Sequence, residues 1–343
     1  MPRENSTSMD VARLAGVSQS AVSRVFTPGA SASKMTVEKV RKAAKELGYR
    51  PNSLARAMVS GKSGIIGVVV AYLQNQFYPE ALEKLSARLQ AKGYHVLVFL
   101  AANGRDEVND VIEEILDYQV DGIIAASVSL SSELSDRCQA IGVPTVLFNR
   151  SHSNASMLAV TSDNVAGGRK AAEFLIASGH QRIGFIAGWE GASTQRDREA
   201  GFTAALHDAG MDIHARGIGN FQSDTASIAA FEMFSGPNRP DAVFVANDHM
   251  AFAVMDTLRF DLGLRVPEDV SVIGYDDVPA AAWKAYNLTT VRQPADRMVN
   301  ETVDMLLGLI GGNAMPTRNI EIDGPLICRG SARIPEEWND EGL

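Results

Sequence analysis

The sequence predicts an α/β fold made of a three-helix helix-turn-helix head, a hinge helix, and a two-lobed body with parallel sheets. Three observations predict it. Residues 9–26 carry the periodicity of two short helices around a glycine, β-branched runs alternate with amphipathic helices from residue 65 onward, and that alternation occurs twice in succession. At 343 residues the chain is long enough for two or three units with cores of their own. Its 45% hydrophobic and 21% charged residues are those of a soluble globular protein.

The head comes first. In MDVARLAGVSQSAVSRVF, Val11, Leu14 and Ala15 mark one face of a first helix, and Gly16 permits the tight bend after it. Ser18 is placed to cap a second helix whose buried face holds Val22 and Val25. Gln19, Ser20, Ser23 and Arg24 are left pointing outward, the short polar side chains and single Arg that a helix in a DNA major groove uses. A helical hairpin packed on a neighbour is the structural alternative. The turn-rich TPGASASKM breaks the pattern, and Thr36 then caps a third helix with Val37, Val40, Ala44 and Leu47 inward and Gly48 as its stop. Lys39, Arg41, Lys42 and Lys45 form its solvated side, which serves solubility or DNA contact equally well.

Charge sharpens the reading. The overall formal charge of -9 argues against nucleic acid, but residues 1–62 hold eleven Lys and Arg against four Asp and Glu, a net of +7 that leaves −16 on the remainder. A basic head on an acidic body is the pattern of a phosphate-binding module joined to a part that stays off DNA.

In RPNSLARAMVSGKSG, Pro51 ends what precedes it and Asn52 caps a helix of one to two turns, too short to be stable alone. Arg56 is placed to reach phosphate and Met58 is an exposed apolar side chain, so the segment is either a frayed linker or a hinge helix that folds on DNA and wedges Met58 between base steps. Residues 61–63 imitate the end of a phosphate loop, but Arg56 stands where the first glycine is needed, which excludes an NTPase.

The body reads as two series. IIGVVVA, YHVLVFL, VDGIIAA and VPTVLF are strands separated by helices at PEALEKLSARLQAKG, DEVNDVIEEILDYQ and SSELSDRCQAIG. A second series begins near Ser162 with helix NVAGGRKAAEFLIASG, strand RIGFIAG, helices REAGFTAALHDAG and DTASIAAFEMF, strand DAVFVAN, helix DHMAFAVMDTLRF and strand VSVIGYD. LTTVRQP and TRNIEID imply that the chain crosses between the lobes more than once. The expected division is a head at 1–50, a hinge at 51–63 and a body at 64–343, with lobe 1 at about 64–160 and 293–321 and lobe 2 at about 161–292 and 322–343.

Across almost its whole length the chain resembles the LacI/GalR family of bacterial transcription repressors. The resemblance rests on VARLAGVSQSAVSRVF, ELGYRPNSLARAM, DGIIA, SGHQRIGFIAG, REAGF, FVANDHMA, VIGYDD and LTTVRQP, in that family's order and spacing. The later motifs also occur in periplasmic sugar-binding proteins, so the first 60 or so residues separate the two. The resemblance implies a periplasmic-binding-protein-like body, a homodimer on a near-palindromic double-stranded operator, and a small effector, a sugar or related metabolite. It also implies that Gln19, Ser20 and Arg24 read bases with Ser18 and Ser23 nearer phosphates, while Asn52, Arg56 and Met58 serve the minor groove. Ala21 departs from the family's frequent Thr and Met58 from its usual Leu, which removes a hydroxyl and makes the wedge more flexible.

An effector cleft belongs at the carboxyl ends of the strands. Lobe 1 offers Phe77, Tyr78, Ser127 and Asn149 there; lobe 2 offers Trp189, Arg198, Phe221, Asn247 and Asp276, with Gln293 on a crossing strand. Converging amides, an Arg and a carboxylate suit hydroxyls, and rings suit apolar sugar faces. Structural alternatives exist for each: Arg198 in a helix-start ion pair, Asp276 as a cap, Phe221 as core. The resemblance favours Arg198, Asn247 and Asp276 as effector contacts, and puts Asn149 where some members have Asp.

Catalysis is not expected. The six histidines lack metal spacing, no Ser sits in a nucleophile elbow, and the neighbours Asp276 and Asp277 point apart on a strand end. Cys138 and Cys328 are far apart without ligand spacing and read as core thiols, so neither metal nor cofactor is expected. No apolar run reaches membrane-spanning length and no secretory h-region opens the chain, so the expectation is a cytoplasmic protein without membrane contact. The C-terminal SARIPEEWNDEGL lacks a leucine heptad, which favours a dimer. Two other readings are a solute-binding protein of sugar transport and a constitutive architectural DNA binder.

Overall fold

The computed structural model describes residues 6–26, 30–50, 62–71, 73–101, 105–128, 136–138, 140–151, 158–313 and 319–336. They form two compact units, Met1–Ser63 and Gly64–Leu343. The expected hinge helix, with Asn52, Arg56 and Met58, and half of the helix expected at SSELSDRCQAIG, residues 131–135 and 139, lie outside the described residues.

The first unit has helices α1 (Ser8–Ala15), α2 (Gln19–Phe26) and α3 (Lys34–Glu46). Thr7 and Asp10 close a reciprocal capping box on α1, and Gly16 ends it at φ 64°, a left-handed turn that glycine adopts without strain. Ser18 accepts the Ala21 N–H at 3.2 Å, capping α2. Val11, Ala12, Ala15, Val22, Val40, Ala43 and Ala44 form the core. Leu14, expected inward, is 48% exposed. An eight-residue helix has room for only a narrow inward stripe, and the stripe runs through 11, 12 and 15, placing Leu14 on its outer edge. Thr36 is not the cap of α3: Ser33 accepts the Thr36 N–H at 3.2 Å, and the helix starts two residues before Thr36.

The second unit contains two six-stranded sheets. The first comprises β1 (Ile65–Val70), β2 (His95–Leu100), β3 (Gly122–Ala126), β4 (Thr145–Phe148), β5 (Leu158–Ser162) and a late strand, β11 (Asn319–Ile322), in the order β11-β5-β4-β3-β1-β2. Helices α4 (Phe77–Ala91), α5 (Arg105–Asp117) and α10 (Ala295–Ile310) belong to this lobe. The second sheet comprises β6 (Ile183–Ala187), β7 (Ala215–Ile218), β8 (Ala242–Val245), β9 (Ser271–Asp276), β10 (Thr289–Arg292) and β12 (Leu326–Ile327), in the order β12-β10-β9-β8-β6-β7. Its helices are α6 (Asn164–Ala177), α7 (Ser193–Asp208), α8 (Ser223–Phe234) and α9 (Asp248–Asp256). All pairings are parallel except β10 with β12. Strands β1 and β3 are buried nearly throughout, as their β-branched runs require, whereas edge strand β2 exposes Val98 and Leu100.

Several elements differ from the sequence expectation. Strands β5, β7 and β12 and helix α10 were not anticipated; the strands are too short and mixed to announce themselves without their partners, but Met298, Val299, Thr302, Val303 and Leu306 of α10 follow helical spacing. Helix α7 starts at Ser193, five residues before the expected start, because polar residues fill its first turn.

Three chain segments join the lobes and are tied together. The Asp163 N–H donates to Ile322 O at 2.9 Å, and the Arg292 N–H to Pro325 O at 2.9 Å. A Cβ at Gly324 would lie 1.9 Å from Arg292 O, so two segments meet there backbone on backbone.

Candidate functional site

The carboxyl ends of both sheets face one cleft, and its wall is built from the residues that follow each strand. Ser127 follows β3, Asn149 and Arg150 follow β4, Phe221 follows β7, Asn247 follows β8 and Asp276 ends β9. Ser127, Asn149, Phe221 and Asp276 all have positive φ, with Asn220 and Asp277 beside them. Such backbone costs roughly 1–3 kcal/mol per residue and is held only where surroundings enforce it. Here the strain clusters at the strand ends, where it turns side chains into the cleft.

Asp276 is the polar centre. Its carboxylate accepts Asn75 Nδ2 at 2.9 Å from lobe 1 and Gln293 Nε2 at 2.6 Å from the crossing segment, and lies 3.7 Å from Arg198. Burial pushes its pKa up, and the Arg198 guanidinium opposes that rise. Arg198 donates through Nε to Asn164 Oδ1 at 2.8 Å and through Nη1 to Ala246 O at 2.5 Å, with its guanidinium 3.6 Å over the Tyr275 ring. It therefore makes no helix-start ion pair; Gln195 bonds Glu199 instead. Asp277 points the other way, to Arg292 and Arg329 at 2.6 Å each.

Gln293 accepts Ser162 Oγ at 3.1 Å, so the residue holding Asp276 also touches the first crossing segment. Phe77 and Tyr78 open α4, with Asn75 Oδ1 accepting the Phe77 N–H at 3.0 Å. Tyr78 OH accepts Asn149 Nδ2 at 3.1 Å. Phe221 lies against Gly188, where a Cβ would come within 2.1 Å of its ring. Trp189 stands apart: its ring lies over Gly191, away from the hydrogen-bonded network around Asp276. A crevice of about 410 Å³ between α4 and the crossing segment, lined by Glu80, Lys84, Arg292 and Asp296 as well as Phe77 and Gln293, touches Asp276 from one side but not Ser127, Asn149, Arg150, Phe221 or Asn247.

Sequence reasoning missed Asn75, Arg150, Ser193 and Thr194. Arg150 Nη1 donates to Thr194 Oγ1 at 2.7 Å and Nη2 to Ser127 Oγ at 3.0 Å, while the Ser151 N–H donates to Ser193 Oγ at 2.9 Å. The Asn75–Asp276, Arg150–Thr194 and Ser151–Ser193 bonds fasten lobe 1 to lobe 2 across the cleft. The signal for Arg150 is its place directly after a buried strand. Three buried polar atoms of the cleft keep no partner among the described residues: Asn149 Oδ1, Arg150 Nε and Asn247 Nδ2. The other end of Asn247 caps α9, accepting the Met250 N–H at 3.0 Å.

In the first unit, Ser18 at the start of α2 and Gln19, Ser20, Ser23 and Arg24 on it are exposed. Gln19 Nε2 donates to Ser8 Oγ at 2.9 Å, and Ser18 and Ser20 share a hydroxyl bond of 2.9 Å. Among the described residues no cluster of His, Cys, Asp or Glu could hold a metal ion, and no helix is long and apolar enough to cross a membrane.

Comparison with known proteins accords with this geometry. Residues 7–52 match the model of bacterial regulatory proteins of the lacI family, and residues 172–332 match that of a periplasmic binding protein-like domain. The chain is 32% identical over 330 residues to the HTH-type transcriptional repressor PurR of Vibrio vulnificus, covering 95% of this chain and 98% of that one. It is 32% identical over 331 residues to the ribose operon repressor of Escherichia coli, covering 95% and 99%. The lac repressor dimer bound to operator and the anti-inducer ONPF superposes with a TM-score of 0.87 at 29% identity, covering 96% of this chain and 99% of that one. A complex of the transcriptional regulator CelR with cellobiose gives 0.73 at 31% identity, covering 96% and 100%. With its helix-turn-helix head and two-lobed body, the chain belongs to the LacI family of DNA-binding transcriptional regulators and is not an enzyme.

Proposed function

We propose that the protein is a repressor that binds a near-palindromic operator as a homodimer and is controlled by a small hydroxylated effector held between its lobes. The observation that carries the effector half is the set of buried, unpartnered polar atoms on Asn149, Arg150 and Asn247, gathered at strand ends beside Asp276. An unmade buried hydrogen bond costs about 1–3 kcal/mol, so a polar ligand that completes these bonds is favoured over an apolar filling. Phe77 and Phe221 supply faces for its apolar side. The polar lining disfavours the constitutive architectural binder, and the basic head disfavours a transport protein.

Ser18, Gln19, Ser20, Ser23 and Arg24 serve as the DNA-reading surface, joined by Asn52, Arg56 and Met58. The dimer reading draws on exposed apolar side chains: Ile228 and Phe231 on α8, Phe260 on the π-helical turn Thr257–Asp261 packed against it, and Val98 and Leu100 on edge strand β2. Because Asn75, Arg150 and Ser151 bond lobe 2 directly, an effector entering there changes how the lobes are fastened. Such coupling is typically about 1–3 kcal/mol. Operator affinity titrated with and without candidate effectors tests this, with an expected change of about five- to 150-fold. An effector that binds the cleft without altering operator affinity refutes it.

A further inference from the structure

The described cleft holds two buried arginines at its centre and two buried carboxylates, Asp276 and, behind it on Thr290 and the Val278 N–H, Asp248, which burial and the neighbouring Asp276 keep protonated well above the ordinary carboxylate range. Arg198 is answered by Asp276 at 3.7 Å. Arg150 has no direct ion pair: its hydrogen bonds go to Asn149 O, Thr194 Oγ1 and Ser127 Oγ, all uncharged, and Asp276, already held by Arg198, acts on it only from beyond 4.0 Å. It is 3% exposed, its Nε has no partner, and its guanidinium lies 5.9 Å from the Phe221 ring centre. A buried cation without a counter-charge is costly, and the ring face compensates only a part. The neighbouring amide of Asn149 is neutral, and its free end becomes a donor on rotation about its last bond.

Resting on the effector reading above, we infer that the effector is a hydroxylated monocarboxylate, a sugar acid, whose acid group sits on Arg150. With two guanidinium groups sharing the one ionised carboxylate of Asp276, the centre carries a net charge of +1, and that charge selects the class. A neutral sugar leaves it buried and unanswered, a monoanion cancels it, and a phosphate ester at about −1.5 to −2 overshoots it. Asn75, Asp276 and Gln293 remain for hydroxyls and Phe77 for an apolar face. The acid group draws on the guanidinium that bonds Thr194, so charge is read at the seam between the lobes.

Calorimetric titration of the full-length chain with matched compounds tests this: D-galacturonate against D-galactose, D-glucuronate against D-glucose, D-ribonate against D-ribose, and glucose 6-phosphate. The expected result is one acid binding about tenfold or more tighter than its neutral parent and than the phosphate ester, as charge-assisted hydrogen bonds require. Arg150→Gln then erases the preference and Arg150→Lys retains part of it, with the melting transition of each variant reporting its folding. A neutral parent binding as tightly as its acid, a preference for the phosphate ester, or no acid binding at all overturns the assignment. Operator affinity measured in the same samples separates the two levels. A neutral sugar that shifts it sinks only the sugar acid, whereas a bound ligand that leaves it unchanged sinks the regulator reading as well.

Discussion

Arg198 and Asp248 show how single buried charges are managed in lobe 2. Arg198 is held by a carboxylate, two hydrogen bonds and an aromatic face, so its guanidinium is fixed in direction. Asp248 has no cation. Its oxygens accept Thr290 Oγ1 at 2.6 Å and the Val278 N–H at 3.0 Å, and burial, followed by repulsion from Asp276, raises its pKa well above the ordinary value. The folded state therefore holds this proton more tightly than the unfolded chain. Its stabilising contribution is complete below the ordinary aspartate value of about 3.9 and is lost as pH rises toward the folded pKa. Asn mimics the protonated form, with one acceptor for Val278 and one donor for Thr290. Asp248→Asn is accordingly expected to melt close to the parent near pH 4 and above it near pH 8. Melting curves across that range check it, and a gap that narrows with rising pH contradicts it.

Among the helices, α6 and α7 place the cleft's central cation. A Cβ at Gly201 would lie 1.9 Å from Val165 O, and one at Gly168 would lie 2.0 Å from Arg198 O. Each helix thus rests its backbone on the other at a glycine, and this close approach brings Arg198 Nε within 2.8 Å of Asn164. Because Gly201 lies one turn beyond Arg198 on the same face, Gly201→Ala is expected to spread the helices. The cost is about 1–3 kcal/mol in stability, with weaker effector binding, measured by denaturant unfolding and by titration. Unchanged effector affinity in a destabilised variant would show that the helix pair supports the lobe without aiming Arg198. The pairing was invisible in the sequence, where GG at 167–168 reads as a weak point in a helix.

For the molecule as a whole, charge and architecture divide the same way. The unit ending at Ser63 has its own apolar core and carries the basic excess, while the acidic remainder builds two sheets around the cleft. A chain reduced to residues 64–343 is expected to lose specific operator binding by about a thousandfold or more while keeping its effector affinity. Gel-shift and calorimetric titrations check both halves, and specific duplex binding by the shortened chain would contradict the assignment of DNA reading to α2.

Much of this was legible before folding. Helical spacing around Gly16, the β-branched runs of β1 and β3, and the recurrence of polar residues after apolar strands are local patterns. They fixed the head, the doubled α/β body and the neighbourhoods of Ser127, Asn149, Phe221, Asn247 and Asp276. Leu14 and Thr36 were misplaced because inward stripe and cap depend on how neighbouring helices meet. Short strands β5, β7 and β12 exist by virtue of their partners. Asn75, Arg150, Ser193 and Thr194 are ordinary residues in sequence and become a polar fastening only where two lobes converge. The sequence by itself determined which elements form and which residues end them, since backbone propensity and apolar period act over a few residues. Tertiary structure alone decided which charges are answered and which atoms stay unpaired, because Asn75 and Asp276 stand 201 residues apart and meet only across the cleft.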